Sequence, residues 1–249
     1  MTDCTERSEG QEGMPSRPGM TGVARPLADE VLDRLVRLYG AARDPVRAVR
    51  TAAYMRDQFP FLGFSSPAQR ALDRSVVAGL PRPTEDDLRS VALACWDLNE
   101  REYQYFACGW LRTHVDVPGP GFIETTRTLI TTKSWWDTVD SLATRLVGGL
   151  VQRHPHLIIE MDAWSADGNM WLVRTAILHQ LHYGTETDTE RLFGYCSRQA
   201  GHRDFFVRKA IGWALRHYAR TDPDAVRTYV AENQGRLSPL SVREATKRL

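Results

Sequence analysis

Val173-Arg174-Thr175-Ala176-Ile177 returns 34 residues later as Val207-Arg208-Lys209-Ala210-Ile211. One period before the first copy lies Val139-Asp140, and Ala107-Cys108-Gly109-Trp110 matches residues 210–213 at a spacing close to three periods. A repeat of this length with two helices per unit is typical of an α-solenoid, in which each unit buries its apolar face against its neighbours. The pattern therefore predicts a stack of antiparallel helix pairs with a curved, concave surface.

The rest of the chain also predicts an all-α protein. From Leu27 onward, apolar residues recur at helical spacing, and strand-like alternation bounded by hairpin turns is absent. Helix starts are indicated by Ser66-Pro67-Ala68-Gln69, with Ser66 as the N-cap, and by the capping box Thr84-Glu85-Asp86-Asp87. We therefore expect one helical-repeat domain over residues 27–249. Residues 1–26 are rich in Gly, Ser, Thr, Pro and Glu without an apolar period, and are expected to form a disordered tail.

The bulk composition is that of an ordinary globular protein, with 42% apolar and 25% charged residues and a formal net charge of +1. No secretory signal and no membrane-spanning run stands out, so we expect a cytoplasmic protein. The four cysteines show no CxxC spacing, which disfavours a disulfide framework and a thiolate zinc site. Residues 201–249 hold ten Lys or Arg against five acids, a local charge of +5. Such an excess permits a polyanion partner, although it also occurs on plain solvated faces.

The candidate site lies in Ser134-Trp135-Trp136-Asp137-Thr138-Val139-Asp140. Ser134, followed three residues later by Asp137, predicts a helix that begins with Ser134 as its N-cap. Trp136 then falls in the first turn, and Asp140 lies one turn later on the same helix face. These residues alone leave open the alternative that the tryptophans are ordinary core residues and that Asp140 is an ordinary solvated charge.

The repeat places Asp140, Arg174 and Arg208 at the same phase of three successive units, which predicts a row of charges along one surface. Arginines bind phosphates with little dependence on sequence, and tryptophan faces stack on bases or on cationic rings. A carboxylate near the sugar could stabilise an oxocarbenium-like transition state and orient a water for attack at the anomeric carbon. A base that already carries a positive charge from alkylation departs without a protonating acid, so one carboxylate would be enough.

The chain resembles the AlkD family, the bacterial DNA alkylation repair glycosylases built of HEAT-like repeats. The resemblance is carried by residues 54–63, 134–140, 169–178, 205–216 and 237–245, and it extends from about Leu27 to the C-terminus. It implies stacked helical pairs that form a C-shaped, positively charged clamp on duplex DNA. It also implies hydrolysis of the N-glycosidic bond of N3- and N7-alkylated purines, without a metal and without flipping the lesion out of the duplex.

Matched residue by residue, the resemblance implies that Asp140 is the catalytic carboxylate and that Trp136 and Trp213 cradle the damaged nucleotide. Arg174 matches a DNA-backbone arginine near the active site, and Tyr54 and Arg216 match further positions around the cleft. The predicted DNA-binding set is completed by the neighbouring basic residues Arg208 and Lys209. The implied partner is double-stranded DNA containing alkylated purines, and because a clamp of this kind has its own DNA surface, we expect it to work as a monomer.

A metal site and a nucleotide cofactor are both disfavoured. His179 and His182 share a helix face and His154 lies close to His156, but no carboxylate or cysteine stands at ligand spacing beside either pair. Glycine-rich phosphate loops are absent, and we expect no cofactor. Aromatics at helical spacing usually pack inside, so the prediction for the remaining tryptophans is a place in the core: Trp96, Trp110, Trp135 and Trp164.

Two alternatives come from outside this family. A non-catalytic α-solenoid could bind a protein or branched DNA through its concave face, as repeat proteins commonly do. A helix-hairpin-helix glycosylase would also be all-α, but no hairpin followed by a Gly/Pro-rich loop and an aspartate is present, and the 34-residue period favours a solenoid.

Overall fold

The computed structural model of the protein describes Met1 and residues 26–249. The predicted tail, residues 1–26, lies almost wholly outside the described residues. The helices are α1 (Leu27–Ala41), α2 (Pro45–Tyr54), α3 (Ser66–Val77), α4 (Glu85–Asp97), α5 (Arg101–Thr113), α6 (Phe122–Thr131), α7 (Trp136–Ser141), α8 (Gly148–Arg153), α9 (Ile158–Trp164), α10 (Met170–Leu178), α11 (Thr189–Arg198), α12 (Phe205–Tyr218), α13 (Pro223–Asn233) and α14 (Pro239–Ala245). A π-helical turn (Leu142–Val147) joins α7 to α8 without a break, and short 3-10 turns follow α8, α10 and α14.

Hydrogen bonds between residues about one repeat apart hold neighbouring units together. Trp96 donates its indole N–H to the Leu129 carbonyl at 3.0 Å, 33 residues on. Tyr183 donates its hydroxyl to the Gly148 carbonyl at 2.7 Å, 35 residues back. Tyr39 and Asp73, 34 residues apart, pair in the first two units. This period in three dimensions, with no strand in residues 26–249, confirms the predicted all-α solenoid.

One continuous apolar core runs through the stack, because most helices turn one apolar face to their neighbours; α2, which buries no residue, is the exception. Leu35, Leu111 and Leu146 are fully enclosed at different points along it. Trp96, Trp110 and Trp164 are also buried, which confirms their predicted place in the core. Within residues 26–249, no helix has both the length and the apolar character needed to span a lipid bilayer.

The predicted helix starts are partly confirmed. At α4, Thr84 Oγ1 accepts from the Asp87 amide at 3.2 Å, and the Asp87 carboxylate accepts from the Thr84 amide at 2.9 Å, which is the expected capping box. At α3 the predicted N-cap was wrong by one residue, because Ser65 rather than Ser66 accepts from the Ala68 amide.

The segment after α2 is fixed by a buried carboxylate. Glu102 accepts hydrogen bonds from the amides of Leu62 and Gly63, each at 2.8 Å. Gly63 has φ of +98°, and a Cβ at this position would lie 2.1 Å from the Asp44 carbonyl oxygen, so only glycine fits. The Leu62 carbonyl in turn accepts from the Asp44 amide at 2.9 Å, so this anchor joins the start of α2 to α5, while Tyr54 at the other end of α2 is 76% exposed.

Candidate functional site

A cleft of about 380 Å³ lies at the meeting point of α7, α10 and α12. Seven of the eight residues predicted for the site line it: Tyr54, Trp136, Asp140, Arg174, Lys209, Trp213 and Arg216. Arg208 is not among the lining residues, and its guanidinium hydrogen bonds to the backbone carbonyls of Arg203 and Asp204. The predicted row of Asp140, Arg174 and Arg208 is therefore present only in its first two members.

The helix that carries Trp136 and Asp140 begins close to the predicted position, but by a different cap. Helix α7 starts at Trp136 with Trp135 as its N-cap residue, which makes no side-chain capping bond. The Ser134 hydroxyl instead donates to the Ile130 carbonyl at 2.6 Å, so the predicted Ser134 cap was wrong. The shared face of Trp136 and Asp140 is retained because both residues lie within α7.

Asp137, the other member of the predicted capping pair, is bound to a fully buried arginine. Arg101 donates to both of its oxygens, at 2.9 and 2.6 Å, and the Tyr105 hydroxyl donates to it at 2.6 Å. Arg101 also donates to the Lys133 carbonyl at 2.8 Å, which holds the chain just before α7. The start of α7 is therefore held in place by side chains of the neighbouring repeat rather than by a local cap.

Asp140 is held in a two-point ion pair. Arg174 Nε lies 2.6 Å from one carboxylate oxygen and Arg174 Nη2 lies 2.8 Å from the other. The third donor group of Arg174 points to the Phe206 carbonyl. The Arg174 side chain is 4% exposed and that of Asp140 is 16% exposed, so the aspartate faces the cleft with the arginine behind it.

Burial raises the pKa of the Asp140 carboxyl above its usual range, and the nearby Asp137 charge acts in the same direction. The hydrogen bonds and the charge of Arg174 oppose this shift. An unpaired carboxylate at this depth would tend to be protonated, because burial disfavours the charged form. Arg174 therefore favours the ionised form of the Asp140 carboxylate in a place where water solvates it poorly.

Aromatic rings form much of the remaining wall. Trp135, which was predicted to be core, packs edge-on against Phe206 at 5.0 Å between ring centroids and also lines the cleft. It is only partly buried, so the prediction for Trp135 was incomplete. Phe205, which is 50% exposed, lies beside Phe206 at 5.4 Å and also lines the cleft. Phe205 and Phe206 are not among the residues predicted for the site, although they adjoin Val207 in the repeated pattern.

The basic residues of the cleft are partly neutralised. Lys209 Nζ lies 2.8 Å from one oxygen of Glu244, and Arg216 Nη1 lies 2.8 Å from the other. Lys247 adds a third cation to the same carboxylate. Arg56, which is not among the residues predicted for the site, also lines the cleft. It makes no ion pair within the part of the chain that the structure describes. Glu244 thus ties α14 to the cleft wall of α12.

We expect Glu244→Gln to lower the free energy of unfolding by about 2 kcal/mol at neutral pH. Hydrogen bonds from Lys209 and Lys247 lower the pKa of Glu244 to about 2. A carboxyl whose pKa is depressed on folding stabilises the protein above its unfolded pKa, and this contribution is lost as the pH falls through the folded value. Urea denaturation should therefore show a difference between the variant and the wild type at neutral pH that shrinks as the pH falls from 4.5 toward 2.

The exposed Glu124→Gln is the matched control for this variant and should change stability little at any pH. A difference for Glu244→Gln that stays constant across the acid range would contradict the assigned ion-pair contribution.

None of the histidines considered as metal ligands lines the cleft. His179 is buried, with Nδ1 2.7 Å from the Ala176 carbonyl oxygen, while His182 is exposed and contacts His217. The rings of His154 and His156 are 6.1 Å apart between centroids. Over the described residues, no group of three or more His, Cys, Asp or Glu side chains is arranged to hold a metal ion.

Comparison with known proteins agrees with this geometry. The family model described as "DNA alkylation repair enzyme" matches residues 37–249. A solved structure described as a predicted DNA alkylation repair enzyme from Enterococcus faecalis is similar, with a TM-score of 0.77 and 30% sequence identity over 83% of this chain and 96% of that chain. No curated protein matches the chain significantly. The matched region includes every residue that lines the cleft and every helix except most of α1, and the chain belongs to the DNA alkylation repair enzyme family.

Proposed function

We propose that the protein is a DNA glycosylase that hydrolyses the N-glycosidic bond of cationic N3- and N7-alkylated purines in duplex DNA. The observation that carries this proposal is the carboxylate of Asp140, which opens into a cleft shared with the indoles of Trp136 and Trp213 and with several basic side chains. A buried anion beside aromatic faces suits a substrate that is positively charged on its base and negatively charged on its backbone.

In the proposed reaction, the bond between C1′ of the sugar and the purine nitrogen breaks, and its electron pair neutralises the positive charge of the base. The sugar passes through an oxocarbenium-like state, which the Asp140 carboxylate stabilises electrostatically. Water then adds to C1′ and loses a proton. A carboxylate has about four lone-pair sites and Arg174 uses two of them, so Asp140 retains the capacity to accept a hydrogen bond from that water.

Trp136 and Trp213 contribute in a second way. Both are half-buried residues packed against the core, so each presents a rigid face to the cleft. An alkylated purine is a flat cation, and such a ring is attracted to the face of an indole. This attraction is greater for the charged lesion than for a normal base, which favours selection of damage. We also propose, as the family resemblance implies, that the lesion is released without being flipped out of the duplex.

Arg174 acts through Asp140 in this proposal. Its donors are directed at Asp140 and at the Phe206 carbonyl in the protein without DNA, so its first role is to orient and ionise the carboxylate. Tyr54, Lys209 and Arg216 remain proposed contacts to DNA, since their side chains line the cleft. Arg208 remains a proposed contact from outside the cleft.

The decisive experiment is base release from duplexes that each contain one defined lesion. We expect release of N7-methylguanine or N3-methyladenine at least about a hundredfold faster than without protein, and no release of uracil or of undamaged guanine. The physical reason is that Asp140 is the only carboxylate lining the cleft among the described residues, so no second group is placed to protonate a neutral leaving base. Binding of duplex DNA without release of any methylated purine would instead support a non-catalytic repeat protein.

A further inference from the structure

Four basic or titratable side chains lie in or just after the helical segments that also supply the cleft residues, without lining the cleft themselves: Arg145, His182, His217 and Arg220, here called the basic cluster. The rings of His182 and His217 meet edge to face, 5.4 Å apart between centroids. Arg145 lies close enough to repel positive charge on both rings, and Arg220 does so on His217. Within residues 26–249, no carboxylate forms an ion pair with any member of the cluster.

The cluster is positioned by the same helices that build the cleft. His217 follows Trp213 by one turn of α12, so the two side chains share a helix face. Arg145 follows Asp140 by five residues, across the start of the π-helical turn. Arg145 is exposed and extends from the turn that directly follows the helix of Asp140.

In the absence of DNA, the positive charges of the cluster repel one another. Loss of contact with water beside the neighbouring groups, together with the Arg145 charge, lowers the pKa of His182. Partial burial, together with Arg220, His182, Arg216 and Arg145, lowers the pKa of His217. Both imidazoles are thus kept neutral at a pH where an isolated histidine would already be gaining its proton. His217 and Arg220 lie at the C-terminal end of α12, whose partial negative charge offsets only part of the repulsion.

We propose that the basic cluster binds a phosphate group of the DNA backbone next to the lesion, an inference that rests on the proposed function. Arg145 and Arg220 would donate charge-assisted hydrogen bonds to the phosphate oxygens. The phosphate charge also favours the protonated form of both imidazoles, so DNA binding is coupled to the uptake of protons. This gain in DNA affinity is fully present below the pKa that His182 and His217 have in the DNA-free protein. It is lost as the pH rises through the higher pKa that they have in the complex.

The test measures binding of an undamaged duplex by fluorescence anisotropy and needs no base release. We expect wild-type affinity to be at least about fivefold higher at about pH 6 than at about pH 8. The double variant His182→Asn with His217→Asn should lose most of this gain. The double variant His154→Asn with His156→Asn is the matched control, because it removes another neighbouring pair of histidine rings and should retain the gain.

A second arm uses salt. Arg145→Ala should weaken binding by about threefold to tenfold at low salt and reduce the slope of log affinity against log salt by about one, as expected for the loss of one phosphate contact. Arg227→Ala, on α13 and paired with Asp224, is the control of equal charge and should leave the slope unchanged.

The outcomes separate this inference from the proposed function. If the wild type binds DNA and releases methylated purines while both cluster variants behave like their controls, the phosphate site is overturned and the glycosylase proposal stands. If the wild type binds DNA with the expected pH and salt dependence but releases no base, the phosphate site is supported and the glycosylase proposal fails. A wild type that binds no duplex DNA at either pH overturns both.

Discussion

Asp140→Asn is expected to lower the rate of base release by about a hundredfold to a thousandfold while leaving the fold intact. Asparagine keeps the shape of the side chain and one acceptor oxygen for Arg174, but it carries no charge to stabilise a cationic sugar. The effect should appear in single-turnover kinetics on duplex DNA with one N7-methylguanine. Affinity for the same duplex should change by much less, because the lost interaction is greatest in the transition state.

Asp137→Asn is the matched control. Asp137 lies in the same helix and is also bound at two points by a buried arginine from another repeat, but it does not line the cleft. Both variants should lose about 1 to 3 kcal/mol of unfolding free energy, since each leaves a buried guanidinium with a neutral partner. If Asp137→Asn lowers base release as much as Asp140→Asn does, the assignment of Asp140 as the catalytic carboxylate fails and the loss reflects stability.

Arg174→Ala is expected to have the second large effect, a loss of about 3 kcal/mol in unfolding free energy together with a shifted pH dependence of catalysis. Burial already raises the pKa of Asp140, and the variant removes the main group that opposes the shift. The pKa of Asp140 should therefore rise further, and the ionised form that catalysis requires should be lost at a higher pH than in the wild type. The measurement is the acid limb of the pH–rate profile under single-turnover conditions.

Two further variants make the test of Arg174 specific. Arg174→Lys retains a positive charge and should restore part of the wild-type pH profile. Arg101→Gln disrupts the equivalent pair with Asp137 and should reduce stability without moving the acid limb upward. The sequence alone predicts a different result for Arg174→Ala, weaker binding to all DNA sequences with a smaller salt slope. That result with an unchanged pH profile would mean that Arg174 contacts phosphate directly when DNA is bound.

The helical-repeat architecture could be predicted because its signal is periodic and local. The 34-residue spacing of Val173 and Val207 and the helical apolar pattern are properties of the chain that need no three-dimensional information. The common face of Trp136 and Asp140 follows from four residues of one helix, and an error in the N-cap does not disturb it. Membership in the DNA alkylation repair enzyme family agrees with the resemblance drawn from the same stretches.

Two of the local details that differ from the prediction, the cap of α7 and the position of Trp135, have one cause, which is competition from residues in other repeats. Asp137 did not cap α7 with Ser134, because Arg101, 36 residues earlier, offers it two charge-assisted hydrogen bonds. Trp135 is predicted to be a core residue only because aromatics at helical spacing usually pack inside. The aromatic side chains that it meets, Trp171 and Phe206, come from two other helices, and Phe206 lines the cleft together with Trp135.

The class of fold, the repeat period and the side chains available to the cleft follow from the order of the amino acids along the chain. Which charges neutralise each other depends on tertiary packing: Arg174 lies against Asp140, 34 residues away, and Arg216 lies against Glu244, 28 residues away. The physical reason is that a buried charge must be paired, and its partner is whichever opposite charge the packing of neighbouring repeats brings within about 3 Å. Helical periodicity sets the direction of a side chain, but it carries no information about that distance.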